Sequence, residues 1–150
     1  MKDRTKHFYQ EAVRATVERI VGGLDEALDL TELARAAGLS ALHFHRIFRG
    51  MLGETPLELH RRLRLERAAL QLATQTTGVT VIAFDAGFET HESFTRAFQS
   101  AYALAPTQFR KRMSLHRERM GGPDRFPFEL RARSGIHFGR AIDLANLVMA

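Results

Sequence analysis

The sequence predicts an all-α protein: two helix-turn-helix subdomains joined by a long linker helix, about seven helices in all, with a short irregular or strand-like C-terminal tail. Two observations carry this. A helix-glycine-helix template occurs twice along the chain, and a proline-led capping box opens an uninterrupted helical stretch between the two copies. Composition agrees, since 150 residues with 45% hydrophobic and 26% charged side chains are ordinary for a globular chain.

The repeat is the strongest signal. LTELARAAGLSALHFHRIFRGMLGETP from residue 30 and VTVIAFDAGFETHESFTRAFQSAYALAP from residue 79 follow one pattern. Leu33, Ala34, Gly38 and Leu39 answer to Ile82, Ala83, Gly87 and Phe88. Past the turn, Phe44, Arg46, Phe48, Gly53 and Pro56 answer to Phe94, Arg96, Phe98, Ala103 and Pro106. The register steps by one between these two sets, so the second copy carries one extra residue in or just after its turn. Small Ala34 and Ala83 let paired helices approach closely, and Gly38 and Gly87 end the first helix of each pair in a left-handed conformation. Ser40, Thr31, Thr80 and Thr90 are candidate N-caps.

Around the repeat, Val13, Val17, Ile20 and Leu24 form an apolar stripe that predicts a first helix from about His7 to Gly22. Thr55-Pro56-Leu57-Glu58 is a capping box with proline at the first helical position, opening a linker helix that runs to about Thr76. From Pro56 to Thr74 it would span about 28 Å at roughly 1.5 Å per residue. A last helix starts near Pro106; Ala105 before it offers no side-chain cap, which predicts a frayed first turn.

Plotted on a helix, Phe44, Ile47, Phe48 and Met51 share one face, and Leu42, His45, Arg46 and Arg49 take the other. In the second copy Phe94, Ala97, Phe98 and Ala101 point inward while Glu92, Ser93, Arg96 and Gln99 point out. A helix of this width enters the major groove of duplex DNA, where arginine offers a planar fork to guanine O6 and N7. Arg61, Arg62, Arg64 and Arg67 on the linker helix are candidates for phosphate contacts, which hold position without reading sequence. The same run is also what a solvated helix face looks like. Two groove-reading helices on one face of B-DNA lie about 34 Å apart, a separation of the order that a rigid 28 Å spacer and its flanking helices give. One chain then reads two unlike half-sites, as a monomer on a non-palindromic target.

The paired pattern, LxxLAxxxGLS then FxRxF, a long linker helix, and IAxxxGFxxxxxFxRxFxxxxxxxPxxFR, resembles the DNA-binding domain of the AraC/XylS family of bacterial transcription regulators over about residues 8–112. The resemblance implies two three-helix subdomains that bind promoter DNA through helices three and six, more often to activate transcription by recruiting RNA polymerase. Carried over by position, the first reading helix supplies Leu42, His45 and Arg46, with Arg49 nearby, and the second His91, Glu92, Ser93, Thr95 and Arg96. Gln99 extends that face. Ala103 stands where the family usually has glycine, and Ala105 where serine commonly caps the last helix.

Other chemistries find little support. The chain has no cysteine, which removes disulfides and thiolate zinc sites. His43 and His45 lie two apart and face different ways on a helix, and His91-Glu92 begins an HExxH pattern whose fifth position is Thr95. No catalytic constellation, metal site or cofactor is expected. The net charge of +5, with an isoelectric point near 10.4, suits a polyanionic partner. The N-terminus lacks an apolar signal region, and no run approaches the roughly 18 apolar residues of a membrane span, so a soluble cytoplasmic regulator is expected. The competing reading is a protein-interaction module that keeps the fold without specific DNA binding.

Beyond Gly121-Gly122-Pro123 the character changes. Phe126, Phe128 and Leu130 alternate as in a strand, and DRFPFELRAR loosely resembles the first strand of a GyrI-like effector domain. Residues 121–150 are thus a truncated or divergent domain, a tail docked on the helices, or a partner-binding segment.

Overall fold

The computed structural model describes residues 2–120. They form seven helices: α1 (Lys2–Gly22), α2 (Leu30–Ala36), α3 (Ala41–Leu52), α4 (Pro56–Thr74), α5 (Val79–Asp85), α6 (His91–Tyr102) and α7 (Pro106–Met120). No strand occurs among the described residues. The strand-like pattern expected from Phe126 to Leu130 lies outside them. Two compact units divide between Leu63 and Arg64, inside α4.

The first unit is α1, α2, α3 and the opening turns of α4. Val13, Val17 and Ile20 of α1 pack with Leu33 and Ala34 of α2, Phe44 and Phe48 of α3, and Leu59 of α4; Leu24 is half-buried against them. Helix α1 starts at Lys2, five residues ahead of the expected His7. Residues 2–8 are exposed, so their helicity leaves no trace in an apolar stripe. Arg19 Nη2 donates to Glu32 Oε1 at 2.7 Å, tying α1 to α2, and this hydrogen bond, then the carboxylate's charge, raises the guanidinium pKa above its ordinary value.

The second unit is the rest of α4 with α5, α6 and α7. Its core joins Leu65, Ala68, Ala69, Leu72 and Ala73 to Ile82, Ala83 and Ala86, then to Phe94, Phe98, Tyr102, Phe109 and Met113. The aromatic rings form a continuous stack: Phe94 lies 5.6 Å from Phe98, which stacks on Tyr102 at 4.6 Å, and Phe109 meets both edge-on. Such pairs add about 0.5–1.5 kcal/mol each beyond area burial. Fully buried Phe109 also anchors the first turn of α7, whose amide donates to Ala105 O at 2.9 Å in place of a side-chain cap.

Local signals explain most boundaries. Gly38 and Gly87 take φ of 70° and 84° at the turns. Ser40 Oγ accepts from His43 N, and Thr90 Oγ1 from Ser93 N, capping α3 and α6. The capping box closes reciprocally, Thr55 N donating to Glu58 Oε2 at 2.9 Å and Glu58 N to Thr55 Oγ1 at 3.1 Å. Two expected caps are corrected. Thr31 lies inside α2, which Asp29 caps by accepting from Glu32 N, and Thr80 lies inside α5, which starts after Gly78 with no side-chain cap. An N-cap oxygen must reach the amide three residues on; Asp29 meets that register, and Gly78, its counterpart in the repeat, has no side chain to do so. Helix α4 ends at Thr74 rather than about Thr76.

Candidate nucleic-acid interface

Helix α3 follows its N-cap Ser40 and ends at Gly53. Phe44 and Phe48 fix its inner face, with Ile47 and Met51 half-buried beside them. The opposite face is thereby turned to solvent: Leu42 is 64% exposed, Arg46 and Arg49 are exposed, and His45 is half-buried. Two guanidinium groups and an imidazole share one strip with no acidic side chain, and Leu42 supplies an apolar contact of the kind a thymine methyl takes. At the edge of this strip His43 meets Tyr9 of α1, rings 5.5 Å apart and 72° inclined. The apolar stripe of the sequence does not single out Tyr9, although it lies four residues before Val13 on the same face.

Helix α6 repeats the plan with a different surface. Phe94 and Phe98 are fully buried, Ala97 and Ala101 half-buried, and His91, Glu92, Arg96 and Gln99 exposed. Two residues nominated beside them are half-buried rather than exposed. The Ser93 hydroxyl donates to Thr90 O and accepts from Thr90 Oγ1, both at 2.9 Å, as part of the α6 cap. Thr95 is half-buried, and its Oγ1 is shielded from solvent with no hydrogen-bond partner among the described residues. The exposed strip thus reduces to His91, Glu92, Arg96 and Gln99, one acid against one guanidinium, where α3 offers two guanidiniums and no acid.

The four arginines of α4 occupy different surroundings. Arg61 is exposed. Arg62 is half-buried and forks onto Glu54, with Nη2 to Oε1 at 2.8 Å and Nε to Oε2 at 3.1 Å, fastening α4 to the turn before it. Arg64 lays its guanidinium over Gly87, where a Cβ would collide with it; at Gly38 that space is open. Arg67 Nη2 donates to Asp85 O at 2.8 Å. The contacts of Arg62, Arg64 and Arg67 are formed across sequence gaps that no local pattern reveals.

Among the described residues no group of His, Cys, Asp and Glu is placed to hold a metal ion, and no helix is long and apolar enough to cross a membrane.

Two helix-turn-helix units, each exposing the polar face of its second helix, define a tandem helix-turn-helix protein. The profile of a family described as helix-turn-helix domain matches residues 33–112. The chain belongs to that family, in its AraC-type branch. It is 30% identical over 149 residues to the uncharacterised HTH-type transcriptional regulator YbfP of Bacillus subtilis, matching 89% of this chain and 50% of that protein. It is 29% identical over 105 residues to the regulatory protein SoxS of Salmonella typhimurium, matching 70% of this chain and 98% of SoxS. The chain thus spans half the length of YbfP, and about a third of the regulator GlxA of Rhizobium meliloti, at 31%. Among solved structures, the DNA-binding domain of AdpA in complex with a target DNA superposes with a TM-score of 0.62 at 26% identity, covering 73% of this chain and 96% of that one. An AraC-type regulator from Chromobacterium violaceum shares the fold at a TM-score of 0.64 and 23% identity, over 70% and 94% of the two chains.

Proposed function

We propose that this chain is a sequence-specific double-stranded DNA-binding regulator of transcription. Two recognition helices, α3 and α6, read adjacent major grooves. The observation that carries the reading is the strip of exposed Leu42, Arg46 and Arg49 with half-buried His45 on α3, in a fold shared with a domain solved on its target DNA. Arg46, at the centre of that strip, reads a guanine by a bidentate pair. On α6, His91, Glu92, Arg96 and Gln99 face the second groove, with the Ser93 and Thr95 hydroxyls held back. Exposed Arg61 contacts phosphate.

The DNA-binding part covers about residues 8–112, and residues 121–150 are a tail or the start of an effector domain. The protein acts in the cytoplasm as a monomer on DNA, more as an activator that recruits RNA polymerase than as a repressor. Relatives named as regulators support the regulatory role. Because the two reading strips differ, the target has unlike halves about one helical turn apart.

Selection of bound sites from random duplexes tests this directly. The expected result is a bipartite, non-palindromic motif with elements about 10 base pairs apart, bound with an affinity that falls steeply with salt. No enriched motif, together with affinity indifferent to salt, would replace this reading with that of a protein-interaction module.

A further inference from the structure

The first two turns of α1 serve no core, since residues 2–8 are all exposed, yet they lie beside α3. Lys2, Thr5, Lys6 and Tyr9, at i, i+3, i+4 and i+7, share one helical face. With Met51 they line an open groove of about 480 Å³. Tyr9 sets the other end of this face against His43 in the first turn of α3, so the strip follows α3 from its first turn to its last. Two ammonium groups line the groove and no acidic side chain does. Neither lysine is ion-paired among the described residues. Half-buried Met51 and the Tyr9 ring give the lysine stems an apolar floor, leaving the charged heads in water.

We infer that this face of α1 is a phosphate-binding flank for the DNA that α3 reads, with Lys2 and Lys6 as the contacting groups. The inference rests on the function proposed above. A duplex that takes α3 into its major groove carries its phosphates along both sides of that helix, and α1, whose Tyr9 meets His43 at the edge of the reading strip, flanks one of those sides. A lysine there acts as a mobile point charge that neutralises phosphate without reading a base. The footprint of the first unit then reaches past α3 and α4, and affinity is shared with residues outside the repeat.

The test is a salt titration of binding to a selected duplex, comparing the wild-type chain with Lys2→Ala/Lys6→Ala, Lys2→Arg/Lys6→Arg and the charge-matched control Lys111→Ala/Arg112→Ala, whose sites are exposed on α7. Each neutralised phosphate contributes about 0.9 to the slope of log K against log salt, so the alanine pair is expected to flatten it by about 1.8 and weaken binding about ten- to a hundredfold near 0.1 M salt. Base preference and the urea midpoint stay unchanged, the arginine pair keeps the wild-type slope, and the control loses less. A wild-type slope in the alanine pair, or an equal loss in the control, overturns the inference while the DNA-binding reading stands. A wild-type chain with no salt-dependent duplex binding overturns both.

Discussion

Arg67 Nη2 donates a 2.8 Å hydrogen bond to the carbonyl oxygen of Asp85, the last residue of α5. The last carbonyls of a helix have no partner of their own and carry the negative end of its dipole. A guanidinium on one of them closes the first helix of the second helix-turn-helix. Arg67→Ala is therefore expected to lower stability by about 1 kcal/mol, seen as a lower urea midpoint, and to leave the salt slope of DNA binding unchanged. Arg61→Ala, at an exposed position, should flatten that slope by about 0.9. A flattened slope in Arg67→Ala would return that side chain to the phosphate-contacting set.

The turn glycines are predicted to be unequal. Both Gly38→Ala and Gly87→Ala place a Cβ on a left-handed residue, at a cost of about 1–2 kcal/mol. At Gly87 the new methyl also displaces the Arg64 guanidinium, whereas Gly38 faces open space. Chemical unfolding should show the larger loss at Gly87. In an Arg64→Ala background that excess should shrink; a full excess there would mean that the guanidinium is not its cause.

Ala103 stores strain that its repeat partner avoids. Gly53 ends α3 at φ 73°, with its amide on Arg49 O at 2.8 Å; Ala103 ends α6 at φ 61°, with its amide on Gln99 O at the same distance. Ala103→Gly relieves about 1–2 kcal/mol of left-handed strain and gives back about 0.5–1 kcal/mol through the freer unfolded chain. A net gain of up to about 1.5 kcal/mol is expected in calorimetry, with Gly53→Ala losing a similar amount.

Arg46→Ala should cost about 1–3 kcal/mol of binding and relax preference at one base pair, read by repeating the site selection with the variant. Unchanged preference would remove Arg46 from the base-reading role. Arg96→Ala, from a strip where Glu92 offsets its charge, is expected to lose less.

The seven helices, the left-handed turn glycines Gly38 and Gly87 and the inner faces of α3 and α6 were legible because they rest on local rules: periodicity, capping and the absence of a Cβ. The repeat also located its extra residue, which falls between Gly87 and Thr90, where the first copy has only Leu39 between Gly38 and Ser40. Less legible was anything that two distant segments decide together. Arg62, Arg64 and Arg67 read alike in sequence as a basic face, yet each meets a different partner: Glu54, the Gly87 turn and Asp85 O. Ser93 and Thr95 carry hydroxyls suited to base edges, but the helix cap takes one and burial the other. The start of α1 at Lys2 is not legible, because polar, exposed turns carry no apolar period.

The chain has no tryptophan and two tyrosines, one in each unit: Tyr9 against an imidazole at the surface, Tyr102 sealed in an aromatic stack. Each half therefore carries a native optical reporter with its own surroundings. Ultraviolet difference spectra of the intact chain and of Tyr9→Phe can follow the two halves separately as they melt, without an attached dye.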